Sequence, residues 1–455
     1  MKYGVRLKLL RRTLRDRRVL ANFVRELKLP RLALEPGKGP NYVDMVASVV
    51  MACPNLERLV GFYQTYGHEF DRLMYALSTR RQLKEHVWII GENTAITQRS
   101  HSQLPPGLMD DEQVHAFLHC HTSWTNLQTL FLHSQSHGIL ERYVFERLFQ
   151  LLPSLQHLCL SSFDQDDFDD YTLQTLPPLR SLRLQDLLGV SSRGLLDYAR
   201  SANAQDLQNL SLIHLDLAYI STISSVLLCL KSLKRFTLVQ EHSPEIQIGE
   251  LVFPPVIASE PLEYLHWDIF EPGSANEHLG DSIRAHGFPS LRTLRAPSDH
   301  DGMLQSICKP RKQITLPSDK FSRAYRDRTT NNIDTERSRR TLFECRKAAQ
   351  QRLEDAQKLS NFQVVVEEEG VVGEVYEFNG FMGTIGSKIT YTLEPDVLQS
   401  DDPLIGFEDL LAEGREVNPR DGCVGMWNAS HHAGKKWWNH SERGRWAPTD
   451  LQRFF

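Results

Sequence analysis

The chain carries no C-x-x-C pair: its seven cysteines, at 53, 120, 159, 229, 308, 345 and 423, are odd in number and widely scattered. That usage argues against a disulfide framework or a paired-cysteine zinc site and fits reduced, mostly buried thiols. Long apolar runs are missing too. The most apolar window, 220–230, is about eleven residues with Ser and Thr inside it, where a membrane helix needs roughly 20. The start, Met1 to Arg6, leads straight into Arg11, Arg12, Arg15, Arg17 and Arg18, without the apolar core of a signal peptide. The expectation is a soluble chain with no membrane role, cytoplasmic or nuclear, whose sequons at Asn209, Asn428 and Asn439 are chance matches. No excess of one charge is present either. With 52 Lys+Arg against 57 Asp+Glu, the net charge of −5 argues against a cationic nucleic-acid binder.

Catalytic signatures are equally scarce. There is no G-x-S-x-G elbow, kinase set or dinucleotide glycine loop. Gly380 to Lys388 has a phosphate-loop look, but Ser387 precedes Lys388 and a strand-like segment follows, so a hairpin turn accounts for it better. His115 and His119 have the i, i+4 spacing of zinc ligands without an intervening glutamate, and His121 follows closely. Cys423, His431, His432 and His440 form a second loose group. Both groups read as ordinary packing. Asp166-Asp167 and Asp169-Asp170 read as a solvated turn rather than a catalytic dyad. No enzyme activity, metal or cofactor is expected.

What is abundant is an internal repeat. Leu127-Gln-Thr-Leu-Phe-Leu132, Leu155 to Leu160, Leu179 to Leu184 and Leu207 to Leu212 share the pattern L-x-x-L-x-L. Leu233 to Leu238, Leu262 to Trp267 and Leu291 to Ala296 follow it more loosely. Their first leucines are 28, 24, 28, 26, 29 and 29 residues apart, the period of a leucine-rich repeat. Weaker copies stand upstream at Val24, Leu56 and Leu83. In x-L-x-L the leucines fall on one face of a short strand. Helical spacing precedes several strands, as at Tyr42, Met45, Val46, Val49 and Val50, and at Tyr143, Val144, Leu148 and Leu151. Proline then ends those stretches at Cys53-Pro54, Leu152-Pro153, Leu176-Pro177 and Phe288-Pro289. No single unit can bury its leucines, but a stack can.

The fold class expected is therefore α/β: an irregular leucine-rich-repeat solenoid of about ten repeats over 1–298, with an insertion at about 91–112. Where the turn asparagine of such repeats would stand, Phe163 and Leu187 are nearby, which predicts irregular curvature. The x positions between leucines form two rows on the concave strand face. One is Phe131, Cys159, Arg183, Ser211, Thr237, His266 and Arg295. The other is His133, Ser161, Gln185, Ile213, Val239 and Asp268. Their mixed aromatic and charged character suits a protein surface.

Beyond the repeat, 299–332 reads as a basic linker and 333–360 as a charged helix; 309–352 holds thirteen Lys/Arg against five Asp/Glu. Residues 353–425 swing to sixteen acidic against four basic. Strands are expected at Phe362 to Glu367, Glu374 to Phe378 and Lys388 to Leu393. Trp427, Trp437, Trp438 and Trp446 complete a small β-rich module over 361–455, expected to pack on the last repeats.

The irregular leucine units, Leu10-Arg-Arg-Thr-Leu-Arg15, Phe23 to Leu29 and the run from Gly422-Cys423 through Lys435-Lys-Trp-Trp438 to Trp446 and Phe454-Phe455 resemble fungal F-box/leucine-rich-repeat proteins. The resemblance implies that the solenoid recruits a protein target for a Skp1-cullin-F-box ubiquitin ligase. It also implies that an F-box docks the Skp1-type adaptor. No F-box start precedes Val24, so adaptor docking requires such a segment upstream. The alternative is a ubiquitin-independent scaffold whose basic 309–352 segment contacts nucleic acid or an acidic partner.

Overall fold

The computed structural model describes residues 2–29, 39–92, 105, 107–136, 138–247, 249, 253–271 and 273–299, with shorter stretches at 303–304, 307–310, 362–368, 371–378, 387–392 and 451–455. The basic linker, the charged helix, most of the Gly380–Lys388 turn, the four C-terminal tryptophans and the group around Cys423 lie outside the described residues, except where those stretches touch them. The chain is α/β and divides into two compact units, Met1–Ala204 with Leu404–Phe455, and Gln205–Pro403. Among the described residues, no helix is long and apolar enough to cross a membrane.

The first unit opens with two helices, α1 (Lys2–Asp16) and α2 (Arg18–Phe23). β1 (Glu26–Lys28) and β2 (Arg58–Val60) pair in parallel as a small sheet, and α3 (Gly39–Ala52) lies between them in sequence. Then come β3 (Thr65–Tyr66), α4 (Arg72–Ser78), β4 (Glu85–Ile90), α5 (Asp111–His121), β5 (Thr129–Ser134), α6 (Arg142–Leu151), β6 (His157–Ser161), α7 (Asp170–Gln174), β7 (Ser181–Gln185) and α8 (Ser192–Arg200). Strands β3 to β7 stand side by side in chain order, each parallel to the next. Register sets leucine against leucine: Leu130 beside Leu158, and Leu158 beside Leu182. All three are fully buried, because neighbouring units supply the apolar cover that no unit can build alone.

The helices begin and end where the chemistry asks. Asp71, Asp110, Asp169 and Ser191 accept hydrogen bonds from the free amides of α4, α5, α7 and α8, and Gln113 closes a capping box on Asp110. The Asp169-Asp170 pair is thereby explained: Asp169 caps α7 and pairs with Arg142 at 3.1 Å, while Asp170 accepts from Ser191 N at 2.7 Å. α3 stops at Ala52 and α6 at Leu151, each just before its Cys-Pro or Leu-Pro step. Tyr143, expected on the apolar side of α6, is 40% exposed; Phe145 and Phe149 are buried instead.

The second unit repeats the scheme with β8 (Asn209–Ile213), α9 (Ile220–Cys229), β9 (Arg235–Gln240), β10 (Tyr264–Ile269), α10 (Ala275–Arg284) and β11 (Thr293–Arg295). Leu210, Phe236, Leu265 and Leu294 align across it. Each of the seven sequence repeats from 127 to 296 thus supplies one parallel strand. β12 (Lys309–Pro310) and β15 (Thr390–Thr392) continue the sheet, with Tyr391 beside Leu294. β13 (Phe362–Glu368) and β14 (Val371–Phe378) form an antiparallel hairpin of their own, as the Glu-Glu-Gly turn predicts. Of the stretch 361–455, β15 belongs to the parallel sheet of this unit and residues 451–455 to the first unit.

The missing turn asparagine has a substitute. The residues directly after β6, β7 and β8 are Ser162, Asp186 and His214, and all adopt left-handed backbone, with φ of 62°, 50° and 52°. Small polar residues tolerate that conformation best among those with a side chain. Ser162 N then donates to Gln185 O at 3.0 Å, and His214 N to Val239 O at 2.7 Å, which links these two turns to the next strand.

Candidate functional site: the inner strand face

Strand alternation separates two faces. On β4, Trp88 points to the helix side: its ring lies 5.0 Å from Phe117 of α5, and its Nε1–H donates to His121 Nε2 at 2.9 Å. Glu85, Val87 and Ile89 therefore face the other way, the inner side. Register carries this across the first unit. Val87 stands beside Phe131, Phe131 beside Cys159 and Cys159 beside Arg183; Ile89, His133, Ser161 and Gln185 form the next row. In the second unit Ser211, Thr237, His266 and Arg295 align, and Ile213, Val239 and Asp268 beside them. Both expected rows are thus continuous within each unit.

Their exposure is not what a bare recognition surface would have. Phe131 and Cys159 have no exposed surface and Arg183 only 2%. Ser211, Ser161, Ile213, Val239, His266, Asp268 and Arg295 are also buried, whereas His133, Gln185 and Thr237 are half-buried. The inner side is covered, and in the first unit the cover is the chain itself.

Leu451–Phe454 form one turn of 3₁₀-helix on this face. Side chains three apart eclipse in such a turn, so Leu451 and Phe454 point the same way. Both are 3% exposed and join Tyr63, Val87, Ile89, Phe131 and Cys159 in one apolar cluster; Gln452 and Arg453 face solvent. The Phe454 ring meets Phe131 edge-on, with centroids 5.1 Å apart at 86°, and Phe455 lies 5.6 Å from both Phe131 and His157. Such aromatic pairs add about 0.5–1.5 kcal/mol each beyond burial. Arg183 closes the far end. Its guanidinium sits 5.1 Å from the Phe454 ring centre, Nη1 donates to Phe454 O at 3.3 Å and Nη2 donates to Gln185 Oε1 at 2.8 Å. A cation held over a ring away from water is worth about 2 kcal/mol.

Burial sets the protonation states on this face. Burial pushes the Cys159 thiol up to about 12 against the opposing pull of Arg183, which keeps it protonated and unreactive. Burial holds His133 down to about 4, so it is neutral at pH 7. In the second unit polar contacts run along the inner face: Arg295 Nη1 donates to His266 Nε2 at 2.8 Å, and Asp268 Oδ1 accepts from Ser298 N at 3.2 Å.

The first histidine group of the sequence resolves locally. His115 and His119 stack at 6.2 Å on α5. His121 is a core residue, its Nδ1–H donating to Phe117 O at 2.7 Å while Nε2 accepts from Trp88. Among the described residues, no three His, Cys, Asp or Glu side chains gather as a metal set.

Sequence reasoning missed Tyr63, Val87 and Ile89 on the inner side, and above all Leu451, Phe454 and Phe455. A signal for the last three existed: Leu-x-x-Phe-Phe places its apolar residues three and four apart, the mark of one helical turn with a buried side. No protein-family model matches the chain, and neither does any curated protein.

Proposed function

We propose that this chain is a protein-binding module of leucine-rich-repeat type that takes a target protein on the inner strand face. Following the resemblance to fungal F-box/leucine-rich-repeat proteins, we assign it the role of substrate recognition in an F-box-type ubiquitin ligase. One observation carries the binding part: the face from Val87 to Arg183 holds a short aromatic segment through burial, ring contacts and an arginine. Repeat modules commonly present such strand faces for extended binding, and aromatic and arginine anchors are the groups that dominate protein recognition.

The test uses Gln185→Glu, which changes the charge at a half-buried position of the face and keeps an acceptor for Arg183. The variant is introduced into the chromosomally tagged protein, its fold is checked by its denaturation midpoint, and partners are compared by affinity capture with quantitative mass spectrometry. Loss of a partner from the folded variant is expected; an unchanged partner set overturns the binding role. The ligase role predicts a cullin adaptor among the captured proteins. Its absence while other partners are recovered overturns that part alone.

A further inference from the structure

We infer that the inner face over β4–β7 is a groove for short Leu-x-x-Phe-Phe segments, with Leu451–Phe455 as its resident occupant, which a partner protein bearing a like segment displaces. The inference rests on the reading of this face as the target surface, and it names the chemistry of the target.

Three features define the groove's selectivity. Its floor, Val87, Ile89, Phe131 and Cys159, is apolar and continuous, and accepts a leucine and an aromatic ring three residues apart in a single turn. At one end Phe131 and His157 flank the second aromatic. At the other, Arg183 reads a ring face and a backbone carbonyl together, a pairing that an aliphatic residue cannot satisfy. The intervening residues, Gln452 and Arg453, are exposed and add nothing to the apolar floor.

The occupant's identity also explains Arg183. A guanidinium in an apolar row costs stability unless its donors and ring partner are in place. Here Gln185 holds Nη2 from within the face, while the ring and the carbonyl come from the bound segment.

A cis occupant weakens any competing ligand by the fraction of molecules whose groove is open. The experiment therefore compares the full chain with its Phe454→Ser/Phe455→Ser variant, using a fluorescein-labelled Asp-Leu-Gln-Arg-Phe-Phe peptide and a scrambled peptide of the same composition. The variant is expected to bind the ordered peptide about tenfold or more tightly than the parent chain does, and to ignore the scrambled one. Adding Arg183→Ala to the variant should return the affinity to the parent's level. A folded variant that binds neither peptide, or binds regardless of Arg183, overturns the inference.

Should the variant fail to fold, hydrogen exchange on the unaltered chain decides. Excess ordered peptide must raise exchange in 451–455 while β5 and β6 keep their protection. No change, or loss only together with the whole unit, overturns it as well. The two readings fail separately: peptide binding without a captured target removes the proposed function, and a Gln185-dependent target without peptide binding removes this inference.

Discussion

Arg183 and three histidines show two ways of burying an ionisable side chain. Arg183, at 2% exposure, sits among Gln185, a carbonyl and a ring. The histidines are buried as neutral rings: burial lowers His86 to about 3 and His121 and His133 to about 4. A base whose folded value lies below its unfolded one stabilises the fold fully above the unfolded value, near 6.5. That stability fades as pH falls toward 4 and 3. Each such histidine steepens the loss by up to about 1.4 kcal/mol per pH unit. Urea denaturation at pH 7, 6 and 5 should show this decline. His86 is the cleanest site to test, since its Nε2 finds no hydrogen-bond partner among the described residues and its ring packs 4.7 Å from Trp88 and from Trp124. His86→Phe is expected to flatten the pH dependence while keeping most of the stability at pH 7; an unchanged slope would refute the assignment.

Between residue and fold stands the helix–strand unit, whose two joints do different work. At the strand's end the chain turns through left-handed backbone at Ser162, Asp186 and His214. A β-branched side chain is a poor fit there, so Ser162→Val should cost about 1–2 kcal/mol, whereas Ser162→Gly should stay close to the parent. At the helix's start, Asp110 accepts from Gln113 N at 2.8 Å, and Gln113 Oε1 accepts in return from Asp110 N at 2.9 Å. Asp110→Ala should cost about 1 kcal/mol, measured by the same denaturation midpoint. The strands themselves were legible in the sequence, because leucine at every second position can satisfy only an extended chain with one buried side. Leu130, Leu158 and Leu182 do form adjacent rungs. The joints were less legible: Ser162 and Asp186 lack the asparagine signature, although short polar residues meet the same backbone demand.

At the scale of the molecule, the first unit is assembled from two separated stretches, Met1–Ala204 and Leu404–Phe455. Deleting Leu451–Phe455 should bare Cys159, bring its thiol down toward the ordinary range beside Arg183, and make it reactive. Iodoacetamide labelling mapped by mass spectrometry should find Cys159 protected in the full chain and modified in the deletion; equal protection would mean that another segment covers it. This closure is the part of the site that periodicity could not reveal. The rows through Phe131, Cys159 and Arg183 follow from alternation, but the Arg183–Phe454 hydrogen bond spans 271 residues and leaves no local trace. An inner surface read as open is thus, in the first unit, already filled. The same connectivity has a consequence during synthesis. At translation rates of roughly 5–20 residues per second, the roughly 250 residues between Ala204 and Leu451 take about 12–50 s to emerge. Throughout that interval the nascent chain presents Phe131 and its neighbours bare beside the ribosome, a window in which a chaperone or a waiting ligand can reach them before Leu451–Phe455 is made.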